Sequence, residues 1–350
     1  MTILFVGGGT LGPVTPLIAV ARRMKELRPN VTFAWAGTPD GPERRVVEAE
    51  GIPFYAVPVA KIPRQISIRW LTWPFAYLQA KSVSRSIIKK SAPSLVVSVG
   101  GFTAVPVMRA AKQQNIPCVI HQLDAEPGLS NKAVAAFASL VTTSFAYDVP
   151  PFKGVTTQRA PTPSRFAGIR VPSREEAAAS FGLQHEKPIL FVVGGGTGAT
   201  TLNEAIWKIK EEIILNVQII HATGKGKAAV SVTEPGYVMR EFLDEKEILN
   251  AYAAADLVVS RAGIGGISDL ACLSKPAIFV PIPNNQQTLN VAKLPCAFIE
   301  QDSGFPEKLR DKIQFLLRDE EARKALGPKL HDAFPTDSGM ALAQKWLGLL

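Results

Sequence analysis

Ile3-Leu4-Phe5-Val6-Gly7-Gly8-Gly9-Thr10 returns later in the chain as Ile189-Leu190-Phe191-Val192-Val193-Gly194-Gly195-Gly196-Thr197-Gly198. In both places an apolar run of strand-forming residues ends in glycines, which reads as a buried strand entering a tight turn. Each run opens a series. Val31 to Ala36, Leu95 to Val99, Cys118 to His121 and Leu140 to Ser144 follow the first; Val217 to His221, Leu257 to Ser260 and Ala277 to Val280 follow the second. Helical stretches separate these strands, the alternation of parallel βαβ units. The repetition predicts two similar α/β domains. Between them, Ala160 to Ser173 holds Pro161, Pro163 and Pro172 without strand or helix periodicity and reads as a linker. The expected organisation is therefore 1–164, 165–338 and a closing helix over 339–350, in which Leu342, Trp346 and Leu349 recur at helical intervals.

Composition supports a soluble α/β protein: 350 residues, 47% apolar and 20% charged, excludes collagen, disorder and a disulfide scaffold. Cys118, Cys272 and Cys296 have no CxxC spacing, so neither a metal site nor a disulfide framework is expected. The N-terminus lacks a basic segment ahead of its apolar run and reads as a first strand. Nowhere do 18 apolar residues occur in succession, so membrane contact is expected to be peripheral. Charge is unevenly placed. Residues 1–165 hold 19 Lys/Arg against 8 Asp/Glu, whereas 166–350 hold 20 against 22. No acid lies between Glu50 and Asp124, a stretch with nine basic residues from Lys61 to Lys112, which implies an anionic partner.

Three glycine turns follow predicted strands: Gly7-Gly8-Gly9-Thr10-Leu11-Gly12, Gly100-Gly101-Phe102 and Gly194-Gly195-Gly196-Thr197-Gly198. Glycine lets backbone approach a ligand, and the following helix offers unpaired N–H groups to phosphate; a tight turn with no ligand is the alternative. A dinucleotide dehydrogenase needs an acid at the end of its second strand. Here that strand ends Trp35-Ala36-Gly37-Thr38, and the second domain has Ala222-Thr223-Gly224-Lys225, so hydride transfer is disfavoured. The richest run is Ser260-Arg261-Ala262-Gly263-Ile264-Gly265-Gly266-Ile267-Ser268-Asp269, with Asp269 in the first turns of a helix, able to aim a carboxylate at a diol. Asn284-Asn285-Gln286-Gln287 follows the next strand, and amides suit sugar hydroxyls and a uracil edge; a polar surface loop is the alternative.

Taken in order, GGGTLGPVTPLIAVA, SVGGF with His121 and Asn131 beyond it, VVGGGTGATTLN, SRAGIGGISDLACLSKPAIFVPIP and QQTLN resemble the MurG family of UDP-N-acetylglucosamine transferases over nearly the whole chain. The resemblance implies a GT-B fold, two Rossmann-like domains with mostly parallel sheets facing an interdomain cleft. It implies an inverting transfer without metal or other cofactor, from UDP-N-acetylglucosamine to a polyprenyl-pyrophosphate-linked muramoyl pentapeptide. By position it places Arg261 and Ile264, Gly265, Gly266, Ile267, Ser268 and Asp269 around the nucleoside, with Asp269 on the ribose. Gln286 and Gln287 fall near the sugar, Gly196 at the diphosphate and Leu243 beside the uracil. Thr10, Leu11 and Gly12 would approach sugar and phosphates from the other domain, with Gly8, Gly9, Gly100 and Gly101 as acceptor-phosphate loops. Arg165 matches a linker arginine. Several positions depart from the pattern: Pro13 replaces a histidine, Asp269 a glutamate, Gly196 a serine, and His121-Gln122-Leu123-Asp124 stands for HEQN.

Inverting transfer needs a base within hydrogen-bond reach of the attacking hydroxyl. Proline cannot accept a proton, which leaves His121, Asp124 and Glu126; Asp124 is expected to be the base, also reaching the donor, with His121 orienting the acceptor or phosphate. The acid-free stretch interleaves Ile62, Ile66, Ile68, Trp70, Leu71, Trp73, Phe75 and Tyr77 with Lys61, Arg64, Arg69, Lys81, Arg85, Lys89 and Lys90. Aromatics among basic residues suit an anionic membrane surface, each basic residue adding about 1 kcal/mol. A buried helix with a solvated basic face is the alternative; no RNA-binding motif accompanies the patch, so nucleic acid is not expected. The expected location is the cytoplasmic face of the cell membrane. Competing readings are a transferase of the same fold with another lipid acceptor, and a binding protein without turnover.

Overall fold

Residues that favour strands on both faces end up in the middle of sheets, and the two glycine-ended runs do so here. The computed structural model describes residues 1–9, 12, 14–58, 69–196, 198–228 and 234–350, with backbone alone at 69–72. Contacts divide the chain into one unit of Met1–Arg165 with Asp337–Leu350 and a second of Phe166–Thr336.

The first unit runs β1 (Thr2–Val6), α1 (Val14–Leu27), β2 (Thr32–Gly37), α2 (Glu43–Ala49), β3 (Phe54–Ala56), α3 (Arg69–Ser91), β4 (Pro93–Ser98), α4 (Ala104–Gln113), β5 (Cys118–Gln122), α5 (Leu129–Val134), β6 (Leu140–Thr143), β7 (Thr157–Arg159) and β8 (Thr162–Pro163). Its seven-stranded sheet has the order β3-β2-β1-β4-β5-β6-β7, with parallel pairing throughout. The second unit runs α6 (Arg174–Ala179), β9 (Ile189–Val193), α7 (Thr200–Ile214), β10 (Gln218–Ala222), β11 (Tyr237–Arg240), α8 (Glu245–Ala254), β12 (Leu257–Ser260), α9 (Ile264–Cys272), β13 (Ala277–Phe279), α10 (Gln286–Ala292), β14 (Ala297–Phe298), α11 (Phe305–Arg318) and α12 (Glu320–Ala333). Its sheet has the order β11-β10-β9-β12-β13-β14 and is likewise parallel. β15 (Thr336–Asp337) and α13 (Met340–Leu347) close the chain.

In each sheet the strand order reverses beside the first strand of the series, between β1 and β4 and between β9 and β12. Doubly wound sheets bind ligands at the carboxyl ends of strands at such a reversal. Both central strands are buried along their length, which explains why they read as continuous apolar runs rather than alternating ones. Leu4, Val96 and Ile120 pack against Ile87, Ile88, Val107 and Met108 in the first core. Leu190, Val192 and Ile219 pack against Leu202, Ile206, Leu309 and Ile313 in the second. Each such side chain contributes about 1.5–3 kcal/mol on burial.

Of the strands absent from the sequence reading, β3, β7, β11 and β14 are sheet edges of two to four residues with partly exposed side chains. Too few residues are buried for a pattern to show. The proline-bearing stretch expected as a linker contains β8, which pairs with β15. α13 packs on α1 with Leu342 and Trp346 fully buried. Gly339 makes this possible: its φ is +89° and a Cβ would stand 3.0 Å from the Val20 nitrogen.

Candidate functional site: glycine turns at two sheet reversals

In the second unit the turn after β9 carries Gly195 and Gly198 in the left-handed region, φ +82° and +69°. Gly195 and Gly196 are exposed. A Cβ on Gly198 would lie 2.2 Å from the Thr223 carbonyl oxygen, so the loop after β10 is packed directly on the turn. α7 and α9 begin at Ala199 and Gly263, which provide no side-chain cap. By contrast, Ser173, Asp244, Asn285 and Asp319 cap α6, α8, α10 and α12. The two helices that follow the sheet reversal thus keep amide N–H groups available for an anion.

Across this reversal Gln287 lies close to Gly263: a methyl group there would be 3.8 Å from its Nε2. Gln287 Oε1 accepts from the Ile282 N–H (3.1 Å), whereas Gln286 Oε1 is buried without a partner. Ile264, Ile267, Ser268 and Asp269 are buried, and the Ser268 hydroxyl donates to the Gly265 carbonyl (3.0 Å). Gly263, Gly265 and Gly266 of that run are partly open.

In the first unit the two glycine turns touch, since a Cβ on Gly101 would be 3.2 Å from the Gly8 carbonyl oxygen. Gly100 packs on Asn131, whose Oδ1 is buried without a partner. Asn131 Nδ2 donates to Gln122 Oε1 (2.7 Å), and Gln122 Nε2 donates to the carbonyls of Asp124 (2.9 Å) and Glu126 (3.0 Å). The loop bearing Asp124 is therefore tied to the Gly100 turn. Asp124 is half-buried and Glu126 exposed. Burial and the charges of Asp124 and Glu126 push the Tyr147 phenol well above its usual range, and its hydroxyl donates to the Asp124 carbonyl (3.2 Å). Thr10, Leu11 and Pro13 lie outside the described residues, and Gly12 is exposed.

Two residues at this turn escaped the sequence reading. Trp35 Nε1 donates to the Gly7 carbonyl (2.8 Å). Glu43 is fully buried; its Oε1 accepts from the Thr38 N–H (2.8 Å) and hydroxyl (2.5 Å), and its Oε2 has no partner. The carboxyl fills a socket left open by glycines, because a Cβ at Gly8 or Gly41 would come within 2.0 Å of it. An acid does reach the end of β2, then, but from α2, and no motif spacing marks it.

On α3, Phe75 and Leu78 are 73% and 58% exposed. Trp73 stacks on Tyr77 at 5.5 Å, and Arg109 donates to the Tyr77 hydroxyl (2.9 Å). Arg85, Lys89 and Lys90 are exposed and Lys81 half-exposed toward the other end of the helix. Lys61, Ile62, Arg64, Ile66 and Ile68 lie outside the described residues, as do the side chains of Arg69, Trp70 and Leu71.

Residues 3–143 match the glycosyltransferase family 28 N-terminal domain and residues 189–336 its C-terminal domain. A UDP-N-acetylglucosamine–N-acetylmuramyl-(pentapeptide) pyrophosphoryl-undecaprenol N-acetylglucosamine transferase from a Nocardioides species is 33% identical over 98% of this chain and 97% of its own length. The chain belongs to glycosyltransferase family 28. A protein of the same description from Paenarthrobacter aurescens is 34% identical over 93% of this chain and 91% of its own. The crystal structure of MurG from Acinetobacter baumannii superposes with a TM-score of 0.77 at 22% identity, covering 99% of both chains, which shows the GT-B fold.

Three of the expected site residues lie enclosed within their own units. His121 is 1% exposed, with Nδ1 bonded to Thr142 Oγ1 (3.0 Å), Nε2 3.4 Å from Ser144 Oγ, and the Trp346 ring edge-on at 6.0 Å. Thr142 donates to the Ile120 carbonyl (3.3 Å), so its oxygen accepts from Nδ1–H. Burial pushes the imidazole down to about 3, opposed by hydrogen bonding at Thr142. The neutral, enclosed ring links β5 to β6, with both nitrogens engaged within the unit. Arg261 is buried, with Nη1 donating to the Val280 (3.0 Å) and Pro281 (3.4 Å) carbonyls and Nη2 to Gln301 (3.3 Å). Its Nη atoms brace the loop after β13, and its Nε is buried without a partner. Leu243 is buried too, and the exposed neighbour is Phe242.

Proposed function

We propose that this chain transfers N-acetylglucosamine from UDP-N-acetylglucosamine to undecaprenyl-pyrophosphoryl-N-acetylmuramoyl pentapeptide, the step that completes the lipid-linked peptidoglycan unit. The observation that carries this reading is full-length similarity above 30% to transferases of that description, on a fold whose glycine turns sit at both sheet reversals. The nucleotide sugar sits on the second unit. Its diphosphate meets Gly195, Gly196 and the uncapped start of α7; Gly265 and Gly266 approach the nucleoside, and Asp269 acts on the ribose side. Gln286, with an unmet carbonyl oxygen, takes a sugar hydroxyl. The acceptor diphosphate sits on Gly8, Gly9, Gly100 and Gly101. Asp124 removes the proton of the attacking hydroxyl, whose oxygen bonds to C1 with inversion as the C1–O bond to UDP breaks. Helix N-termini stabilise the departing UDP, and no metal takes part.

Phe75, Leu78 and the basic end of α3 support docking on an anionic membrane surface, at the cytoplasmic face, where such an acceptor presents its headgroup. No described helix is long and apolar enough to cross a membrane. The replacement of a histidine by Pro13 favours one second reading, a different lipid-linked acceptor. Radiolabelled UDP-N-acetylglucosamine with detergent-solubilised lipid-linked muramoyl pentapeptide separates them. Transfer to this lipid, lost in Asp124→Asn, is expected. Transfer only to another lipid supports the second reading, and donor binding with no transfer to any lipid overturns both.

A further inference from the structure

The loop after β10 supplies a cation that the mechanism above does not use. Lys227 is half-buried, and its Nζ donates across the glycine turn to the Gly198 carbonyl (3.2 Å). No carboxylate pairs with it among the described residues. Its backbone is held in place: its N–H donates to the Gly224 carbonyl (3.0 Å) and its carbonyl accepts from Asn203 Nδ2 (3.5 Å). Asn203 Nδ2 also reaches the Thr223 carbonyl (2.9 Å), and its Oδ1 accepts from buried His221 Nε2 (3.1 Å), whose Nδ1 meets the Tyr237 hydroxyl (2.7 Å). A lysine on a flexible stem is thus anchored at its root by a buried polar network, with its ammonium resting on a neutral carbonyl. That carbonyl belongs to the turn in which Gly195 and Gly196 are exposed and whose helix is uncapped.

We propose that Lys227 binds the diphosphate of the nucleotide donor, an inference that rests on the donor reading above. An ammonium gains far more from a phosphate oxygen than from a peptide carbonyl, and a lysine beside a glycine-rich turn is the arrangement by which other folds hold phosphates. On donor binding Nζ exchanges the Gly198 carbonyl for a phosphate oxygen. As the C1–O bond breaks, its electron pair moves onto the β-phosphate, and Lys227 offsets the added charge together with the α7 amides. The lysine neither gives up nor takes a proton.

The test compares UDP with uridine, which lacks the diphosphate, by calorimetry or competition on the intact chain. Lys227→Met keeps the stem and removes the charge; Lys227→Arg keeps the charge. In Lys227→Met, UDP affinity is expected to fall about 10- to 100-fold, the worth of a hydrogen bond to a charged group, while uridine affinity is unchanged. Lys227→Arg is expected to stay within about threefold of the parent for UDP, and kcat to fall with UDP affinity in Lys227→Met only. Equal losses for UDP and uridine would mean that the lysine merely props up the loop, and unchanged UDP affinity would mean that it faces away; either overturns the proposal. Failure of the unaltered chain to bind UDP overturns the donor reading itself, and the lysine's role with it.

Discussion

Acid should unfold this protein through two histidines, one in each unit. His121 and His221 are buried, and burial pushes their pKa values from 6.5 to about 3 and about 4. A depressed folded pKa means that the unfolded chain takes up the proton first, so the stability at stake is present above pH 6.5 and is lost as pH falls below it. At pH 5.0 both folded values still lie below the solution pH, and the cost is set almost wholly by the distance from the unfolded value. Moving from pH 7.5 to 5.0 therefore costs about 2 kcal/mol for each histidine. The assay is urea unfolding at both pH values, followed by tryptophan fluorescence, on the parent chain, His121→Gln and His221→Gln. Each variant is expected to be less stable at pH 7.5, having lost buried hydrogen bonds, yet to lose about 2 kcal/mol less than the parent on acidification. Carboxylates that titrate over the same range contribute equally to all three chains and drop out of the difference. Variants whose acid sensitivity matches the parent within about 0.5 kcal/mol would refute the reasoning.

Gly198→Ala forces a side chain into the left-handed region and onto the Thr223 carbonyl. A stability loss of about 2–4 kcal/mol in urea, with weakened UDP binding, is expected. Glu43→Ala orphans the buried Thr38 N–H and empties the socket under Gly8. Steady-state kinetics should show a raised KM for the lipid acceptor with an unchanged KM for the donor, and unfolding a loss of about 1–3 kcal/mol. Phe75→Ser with Leu78→Ser removes the exposed apolar end of α3. Co-sedimentation with vesicles containing anionic phospholipid should fall about tenfold or more, while turnover of a short-chain, water-soluble acceptor is retained.

Local sequence was enough to locate the glycine turns, the strands that feed them, the closing helix and the basic segment on α3. A strand buried on both faces is apolar along nearly its whole length, and a backbone that turns left-handed at Gly195 and Gly198 favours glycine, so both leave marks that survive in one dimension. Tertiary structure decided which polar side chains stay available to a ligand. His121 lies near the end of a strand as a catalytic histidine would, but Trp346, from the far end of the chain, packs against its ring, and the imidazole is enclosed in the core. Arg261 stands in the most suggestive motif of the chain, yet carbonyls from the loop after the next strand hold its guanidinium. Glu43 and Lys227 carry no motif at all and reach the two glycine turns from neighbouring segments. Periodicity reports how a residue sits relative to its own helix or strand, whereas burial of a polar group depends on what a distant segment lays over it, and that is settled only when the chain has folded.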